Sequence, residues 1–382
     1  SQSPVLADKT QINPALIAAF KEAVPNALHL VFVDGEFSNE FSGSVSALDK
    51  TGLTIEHIST LQGESRKRAE ATIRQSALSD DNIFQHISLG LSRSGLFIEI
   101  QKNHEVNRIV HILHLSTKSE SRNFSNPVHV VRVNENSHLQ LLEQYASIED
   151  GKALSVPAVY IEVAEGAGLD HFKIGLESNQ SDHVSNTMVQ VASSGVYKSH
   201  QYLLGSRLTR ANLEVSFSGA GAQANLRGIY LGNADQHLDI RTFMDHAYPH
   251  CSSDQHFRSI MNAQSRGVFS GMVLVRRDAQ KTDALQSNKN LLLSREARVD
   301  TKPQLEIYAD DVKCAHGATV GELDKDALFY LQSRGIEKAE AKLMLTRAFA
   351  AEITQEIEIE SLRSYVQDRI SIRLDGVHAS NV

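Results

Sequence analysis

Short strand-like runs dominate this sequence and narrow the choice of fold more than any other pattern in it. From Ile83 to about Ile307 such runs recur with turn residues between them, among them VHVVRV, AVYIEV, LEVSFSG and VFSGMVLV. No helical period separates them, which indicates a mainly β body. A sandwich, a barrel, a propeller and a stacked solenoid all fit this pattern, and the spacing of the runs alone does not choose among them.

Helical patterns precede and interrupt the strand region. Asn13 before Pro14 is typical of a helix start, and Pro25 predicts that this helix ends before it. The charged, alanine-containing segment 64–78 predicts an inserted helix, whose basic run at 66–68 belongs to a solvated face.

The pattern becomes helical again beyond Gly321. Asp324 predicts the N-cap of a helix that closes at Gly335. A second helix is expected from about Lys338 to Ile357. A third helix is expected to place five residues on one stripe, namely Leu362, Tyr365, Val366, Arg369 and Ile370.

These patterns divide the chain into three expected parts. They are a short N-terminal helical segment at 1–27, a β body at 28–321 with the inserted helix near 64–78, and a C-terminal helical domain at 322–382. The first residue is Ser1 and not Met, so we expect the N-terminal segment to be processed or truncated.

Composition limits the partners of the chain. Its 382 residues carry a formal net charge of -8, which argues against a nucleic acid or an anionic membrane as partner. No apolar run approaches the length of a membrane span, and two cysteines provide no disulfide framework. These features predict a cytoplasmic protein.

The segment Val299–Gly321 joins the β body to the tail and carries the first candidate site. Pro303 is expected at the start of a strand, and the run 304–309 then alternates until two aspartates end it. Residues two apart on an extended chain face the same way, so Cys314 and His316 would lie side by side. Such a pair can bind a soft metal or favour a thiolate, although a small buried thiol beside a hydrogen-bonded histidine is commoner.

A second candidate lies in the run DHAYPHCSSDQH, which contains His246, His250, Cys251 and His256. Histidines four apart followed by a cysteine resemble metal ligands, but zinc sites normally include a second closely spaced pair. His250 and Cys251 are adjacent and would point to opposite faces of a strand. Packing at a corner of the body is therefore the favoured interpretation.

The sequence does not favour a hydrolytic or a nucleotide-binding site. Asp310 and Asp311 are adjacent, so their carboxylates diverge on an extended chain and do not form a two-carboxylate hydrolytic site. The glycine pairs 166/168 and 219/221 are not followed by a helix, and no GxxxxGK[ST] run occurs, so the chain alone is not expected to bind ATP. Nothing similar to a GxSxG elbow is present either.

Several longer motifs carry a family resemblance. They are VFVDGEF at 31–37, RGVFSG at 266–271, KTDALQSNKNLLLS at 281–294, and LEIYADDVKCAHGATVG at 305–321 followed by LFYLQSRGI at 328–336. In this order they resemble the SufB/SufD family of iron–sulfur cluster assembly proteins, over roughly nine-tenths of the chain. Within the family the sequence is closer to the SufD branch, as its shortage of cysteines also indicates.

The resemblance implies a fold and a role. It implies a right-handed parallel β-helix, or β-solenoid, and a scaffold subunit without enzymatic activity of its own. The last turns would meet a SufB-like subunit, with His316 as a metal ligand and Cys314 as an auxiliary thiol at the shared interface. The iron–sulfur cluster would reside there only transiently. A cluster needs four ligands, so the partner must supply the rest, and the chain alone is expected to bind none.

The helical tail is expected to dock a SufC-like ATPase, and the plainer alternative is that it only caps the solenoid. The residues assigned to docking are Leu328, Phe329, Tyr330, Arg334 and Gly335. A rival interpretation is a secreted β-helix hydrolase or lyase acting on polysaccharide. A homodimer through the same edge is a further possibility for the chain without its partner.

Overall fold

The chain folds into a parallel β-helix, which confirms the expected fold class. This computed structural model describes residues 12–22, 24–43, 52–76, 82–118 and 123–379. Its strands are β1 Leu28–Val33, β2 Glu36–Phe37, β3 Leu53–His57, β4 Leu96–Ile100, β5 Val110–Ser116, β6 Asn123–Ser125, β7 Val128–Val133, β8 His138–Ser147, β9 Ala153–Ser155, β10 Ala158–Val163, β11 Gly168–Leu176, β12 Asp182–Val191, β13 Val196–Leu203, β14 Leu208–Phe217, β15 Gln223–Gly232, β16 His237–His246, β17 Ser252–Met261, β18 Arg266–Val275, β19 Asp283–Leu292, β20 Arg298–Ile307 and β21 Lys313–Gly321.

Strands that follow one another along the chain mostly alternate between two sheets. The first sheet has the order β2-β1-β5-β8-β11-β13-β15-β17-β19-β21, and the second runs β20-β18-β16-β14-β12-β10-β7-β4-β3, with β6 and β9 beside it. Pairing is parallel along the body, and one turn advances by about 30 positions, as between Lys281 and Asp311. Antiparallel pairs occur only near the start of the described body, at β1–β2 and β3–β4.

The main core fills the space between the two sheets. Leu213 and Phe269 of the second sheet belong to the same apolar cluster as Tyr230 and Phe257 of the first. The rings of Phe257 and Phe269 lie 5.2 Å apart across the coil. Because side chains alternate along each strand, every second residue points into this core and the others face outward.

The helices cover parts of the outer faces. They are α1 Pro14–Glu22, α2 Gly63–Ser76, α3 Ile83–Leu91, α4 Lys325–Ser333, α5 Lys338–Thr354 and α6 Glu360–Ala379. Ile17 of α1 packs on Val31 and Leu113 of the first sheet, and Ala69 of α2 packs on the second. None of the helices within the described ranges is long and apolar enough to cross a membrane.

Several predicted helix boundaries agree with the structure. The Asn13 side chain accepts a hydrogen bond of 3.0 Å from the Ala15 amide at the start of α1. Helix α2 occupies most of the predicted insertion, whose last residues 77–78 lie outside the described part of the chain, as do residues 1–11 of the expected N-terminal segment.

One expectation from the sequence, about the segment that begins at Ile83, is wrong. The strand-like pattern predicts strands from Ile83 onward, whereas Ile83–Leu91 is the helix α3. Asn82 caps it, since its side-chain oxygen accepts hydrogen bonds from the amides of Phe84 and Gln85 at 3.2 and 3.3 Å. The strand series therefore begins only at Leu96 after this insertion.

The C-terminal helices do not cap the end of the coil. Ile353 of α5 and Val366 of α6 instead share an apolar cluster with Tyr202, Ile229 and Ile260 on the outer face of the first sheet. The alternative in which the tail only caps the solenoid is therefore wrong. The last turn of the coil is left uncovered by the described parts of this chain.

Candidate functional site

The last turn of the coil, formed by β20 and β21, is an open edge. Strand β20 pairs with β18 and strand β21 pairs with β19, and neither has a partner on its other side in the described structure. Nearly all of β21 and half of β20 are exposed. Unpaired backbone N–H and C=O groups on such an edge are available to another chain.

Pro303 supports the assignment of β20 as an edge strand. The sequence predicts it at the start of a strand, but β20 begins at Arg298 and Pro303 lies in its middle, opposite Gly271 of β18. A proline inside a sheet removes a ladder hydrogen bond, so it is tolerated where the neighbouring side is free.

Cys314 and His316 lie on the same face of β21, as their spacing predicts. Their register partners on β19 are Ala284 and Gln286, which are both buried inside the coil. Cys314 is half-buried and packs against the main core, whereas His316 is exposed. The pair therefore sits at the mouth of the coil interior, facing the open end.

The Cys314 thiol is not activated in the isolated chain. Burial raises its pKa above the ordinary value, and the negative charge of Asp283 raises it further. A reactive or metal-binding cysteine needs the opposite shift, because the thiolate is the nucleophile and ligand. A cation arriving from outside would have to supply that shift.

The pair does not complete a metal site alone. Within the described ranges, no three His, Cys, Asp or Glu side chains are arranged to hold a metal ion. An iron–sulfur cluster takes four ligands, so Cys314 and His316 leave at least two positions to another molecule. Metal binding by these two residues stays a prediction.

The second histidine-rich run is dispersed, as the packing interpretation predicts. His246 is buried and bonds to the Ser253 hydroxyl at 2.8 Å, and burial lowers its pKa to about 4. His250 occupies a turn with φ of 61°, while Cys251 is buried with Sγ 3.4 Å from the Gly219 carbonyl oxygen. The Nε2 atom of His256 lies 3.0 Å from Oδ1 of Asp254.

Asp310 and Asp311 follow strand β20 and do not form a catalytic pair. Asp311 bonds to the ammonium group of Lys281, and its backbone amide donates to the Gln280 side chain at 2.9 Å. Asp310 is exposed and lies three residues beyond Ile307, the last residue of the strand. The arrangement is that of a turn.

Helix α4 presents an apolar surface with no cover in the described structure. The Asp324 carboxylate caps it, accepting from the Asp326 amide at 2.8 Å, and Gly335 ends it with φ of 88°. Phe329 and Tyr330 are 73% and 56% exposed. Leu328 is half-buried, and the Arg334 guanidinium lies 5.3 Å from the Tyr330 ring centre. The assignment of this surface to docking stays a prediction.

Sequence reasoning missed the ion pairs that attach α5 to the coil. Basic residues from three neighbouring turns of the first sheet meet acidic residues at the end of α5 and just beyond it, in the pairs Arg258–Glu352, Arg227–Glu356 and Lys198–Glu358. The bases are about 30 positions apart, so no local pattern in the sequence links them.

Comparison with known proteins identifies related sequences. The family model for the SUF system FeS cluster assembly SufBD core domain matches residues 114–349. The Escherichia coli iron–sulfur cluster assembly protein SufD is 32% identical over 92% of this chain and 80% of its own length. A SufBD family protein of Synechocystis is 28% identical over 97% of this chain and 83% of its own length. A chloroplast protein of Arabidopsis thaliana is 32% identical over 64% of this chain and 52% of its own length. The chain therefore belongs to the SufBD family of iron–sulfur cluster assembly proteins.

Proposed function

We propose that this chain is a non-enzymatic scaffold subunit of a cytoplasmic SufBCD-type complex. A SufB-like subunit docks on the open edge of β20 and β21, and a SufC-like ATPase docks on α4. The nascent iron–sulfur cluster is the cargo of the complex and is held transiently at the first of these contacts. The observation that carries the proposal is the uncapped last turn with Cys314 and His316 at its mouth.

The incomplete ligand set supports a shared site. His316 offers an exposed imidazole, and Cys314 offers a thiol whose pKa is raised by burial and by Asp283. A positively charged iron centre brought by the partner would offset both effects and favour the thiolate. The chain thus contributes ligands that function only once a second chain closes the site.

Coupling to ATP hydrolysis follows from the connection between the two docking surfaces. Helix α4 begins four residues after β21 ends, so a displacement of α4 by the ATPase pulls directly on the strand that carries His316. Such coupling requires two states of the SufB-like contact, with the nucleotide favouring one of them.

The polysaccharide hydrolase alternative has no observation in its favour. Its candidate carboxylates, Asp310 and Asp311, belong to a turn, and Asp311 is paired with Lys281. For the chain without its partner, the competing arrangement is a homodimer through the same edge. It would be a two-fold contact between open edges, and the SufB-like subunit should displace it.

The proposal predicts that His316→Ala lowers cluster formation without breaking the complex. We expect the reconstituted three-component complex to assemble and hydrolyse ATP normally, while its cluster yield, read from visible absorbance and bound iron, falls about tenfold or more. His250→Asn is a matched control, because His250 is exposed in a left-handed turn that asparagine tolerates. An unchanged yield in His316→Ala would remove the proposed role of this residue.

A further inference from the structure

An inward-facing column of side chains ends at His316. Leu226 of β15, Gln255 of β17, Gln286 of β19 and His316 of β21 occupy one register position on successive turns. Neighbouring strands in a sheet lie about 4.8 Å apart, so each of these side chains stacks on the next. Gln286 is therefore the residue directly behind His316, one turn deeper in the coil.

The Gln286 carboxamide is buried without a hydrogen bond. Its residue is 0% exposed, and neither its oxygen nor its nitrogen has a partner among the described residues. The carboxamides further along the same strand are paired: the Asn290 nitrogen donates to the Asn288 oxygen at 2.6 Å and to the Thr319 carbonyl at 3.0 Å. A buried carboxamide without partners is costly and rare in native structures, so its presence calls for an explanation.

The opposite wall of the coil leaves room for this carboxamide. Gly271 of β18 faces it, and a Cβ atom added at Gly271 would collide with the Gln286 nitrogen and lie 2.9 Å from its Cδ. Any side chain at position 271 would therefore push the carboxamide aside. Gly271 therefore leaves space for the buried Gln286 carboxamide. An apolar side chain in the same space would need no hydrogen-bond partner.

We propose that Gln286 is a positioning residue for His316. A SufB-like chain that closes the open end confines the exposed imidazole against the column, where one ring N–H donates to the Gln286 side-chain oxygen. A neutral imidazole has one N–H and one lone-pair nitrogen, so this bond fixes the tautomer and turns the free nitrogen toward the incoming iron. Partners of this kind orient metal ligands and raise their basicity. The inference rests on the proposed function and names a residue that this function requires.

The variants Gln286→Leu and Gln255→Leu separate this role from a general effect on the core. Both glutamines are 0% exposed with unpaired carboxamides within the described ranges, but only Gln286 adjoins His316. In the assembled three-component complex we expect Gln286→Leu to lower cluster yield about tenfold, and Gln255→Leu to leave it unchanged. Gly271→Ala, which displaces the Gln286 carboxamide and also crowds the Phe269 ring, should reproduce the loss of cluster yield with both Gln286 and His316 retained. It carries the test if Gln286→Leu fails to fold, provided that its own melting temperature matches that of the wild type.

The tautomer of His316 can be measured directly. It would not change if Gln286 only helped the core to pack. The chain is labelled with ring-¹⁵N histidine, and the complex is studied by magic-angle-spinning NMR, with the His316 signals assigned by their loss in His316→Ala. We expect one tautomer in the wild-type and Gln255→Leu complexes and a mixture of two in Gln286→Leu. The same single tautomer in all three, or an equal change in both variants, would overturn the inference. If His316→Ala alone leaves cluster yield unchanged, the proposed metal-binding role of His316 fails, whereas the NMR result still decides the Gln286 contact.

Discussion

Several histidines are buried in their neutral form. His111, His129 and His246 are each 0% exposed, and burial lowers their pKa values to about 3, 4 and 4. In the unfolded chain a histidine titrates near pH 6.5. The unfolded state therefore binds protons first as the pH falls, and the folded state loses stability from about pH 6.5 down to about pH 4.

This difference predicts a specific acid sensitivity. Each such histidine removes about 1.4 kcal/mol of unfolding free energy per pH unit within that window. Urea titrations at pH 7.5, 6.5, 5.5 and 4.5 should show a nearly constant midpoint down to pH 6.5 and a steep fall below it. Buried carboxylates such as Glu143, whose pKa is lowered, reduce the unfolding free energy only below about pH 4.3. A midpoint that stays flat from pH 6.5 to 4.5 would contradict the account.

For single residues, the sequence predicts which way a side chain points more reliably than it predicts which residues that side chain contacts. The period of two correctly places Cys314 and His316 on one face of a strand. Their neighbours Ala284 and Gln286 come from the preceding turn, and coil lengths vary, so that register follows from the whole stack of strands. The orphaned Gln286 carboxamide has no sequence signature at all.

Among the elements, α4 differs from the other helices in what it leaves exposed. Helices of globular proteins normally bury one face, yet α4 has no buried residue in the described structure. Its Phe329 and Tyr330 side chains form an apolar surface beside Arg334. Aromatic residues and arginine are the side chains most often found at the centre of protein interfaces.

This surface leads to a prediction about the proposed ATPase contact. We expect Phe329→Ala combined with Tyr330→Ala to weaken binding of the SufC-like subunit at least tenfold, measured by calorimetry, because exposed aromatic anchors carry much of an interface's energy. Ile372→Ala is the matched control, since Ile372 is 61% exposed and belongs to α6 instead of α4. Equal binding by both variants would contradict the docking assignment.

Surface variants are a sharper test than truncation after Gly321. Removal of all residues beyond Gly321 would also delete α5 and α6, which cover Tyr202, Ile229 and Ile260 on the first sheet. The exposed apolar face could then abolish binding through misfolding. The paired variant keeps this cover intact.

The ends of a helix can be predicted from local sequence signals, whereas the place where the helix packs on the sheet cannot. Asp324 and Gly335 mark the two ends of α4 correctly, because capping and left-handed turns are local chemistry. The placement of α5 along the sheet depends on ion pairs such as Arg258–Glu352, which join residues far apart in the chain. Helix α3 escapes prediction because its apolar content resembles the strand runs that follow it.

The whole molecule is a coil with unequal ends. Near its start, β2 and β3 add antiparallel strands to the two sheets. At its finish, β20 and β21 expose their edges, and the helices that follow fold back along the side. Solenoids need caps at their ends, so the last turn, which no described part of this chain covers, is the surface on which we propose that the SufB-like subunit docks.

Hydrogen–deuterium exchange can show whether a second chain covers the last turn. Amide exchange is followed by mass spectrometry in the chain alone and after addition of a SufB-like subunit, with peptides covering Lys313–Gly321 and, for comparison, Leu53–His57 near the other end of the coil. If the SufB-like subunit docks on β20 and β21, we expect strong new protection in the first segment and none in the second. Unchanged exchange across Lys313–Gly321 in a complex that demonstrably forms would contradict this docking.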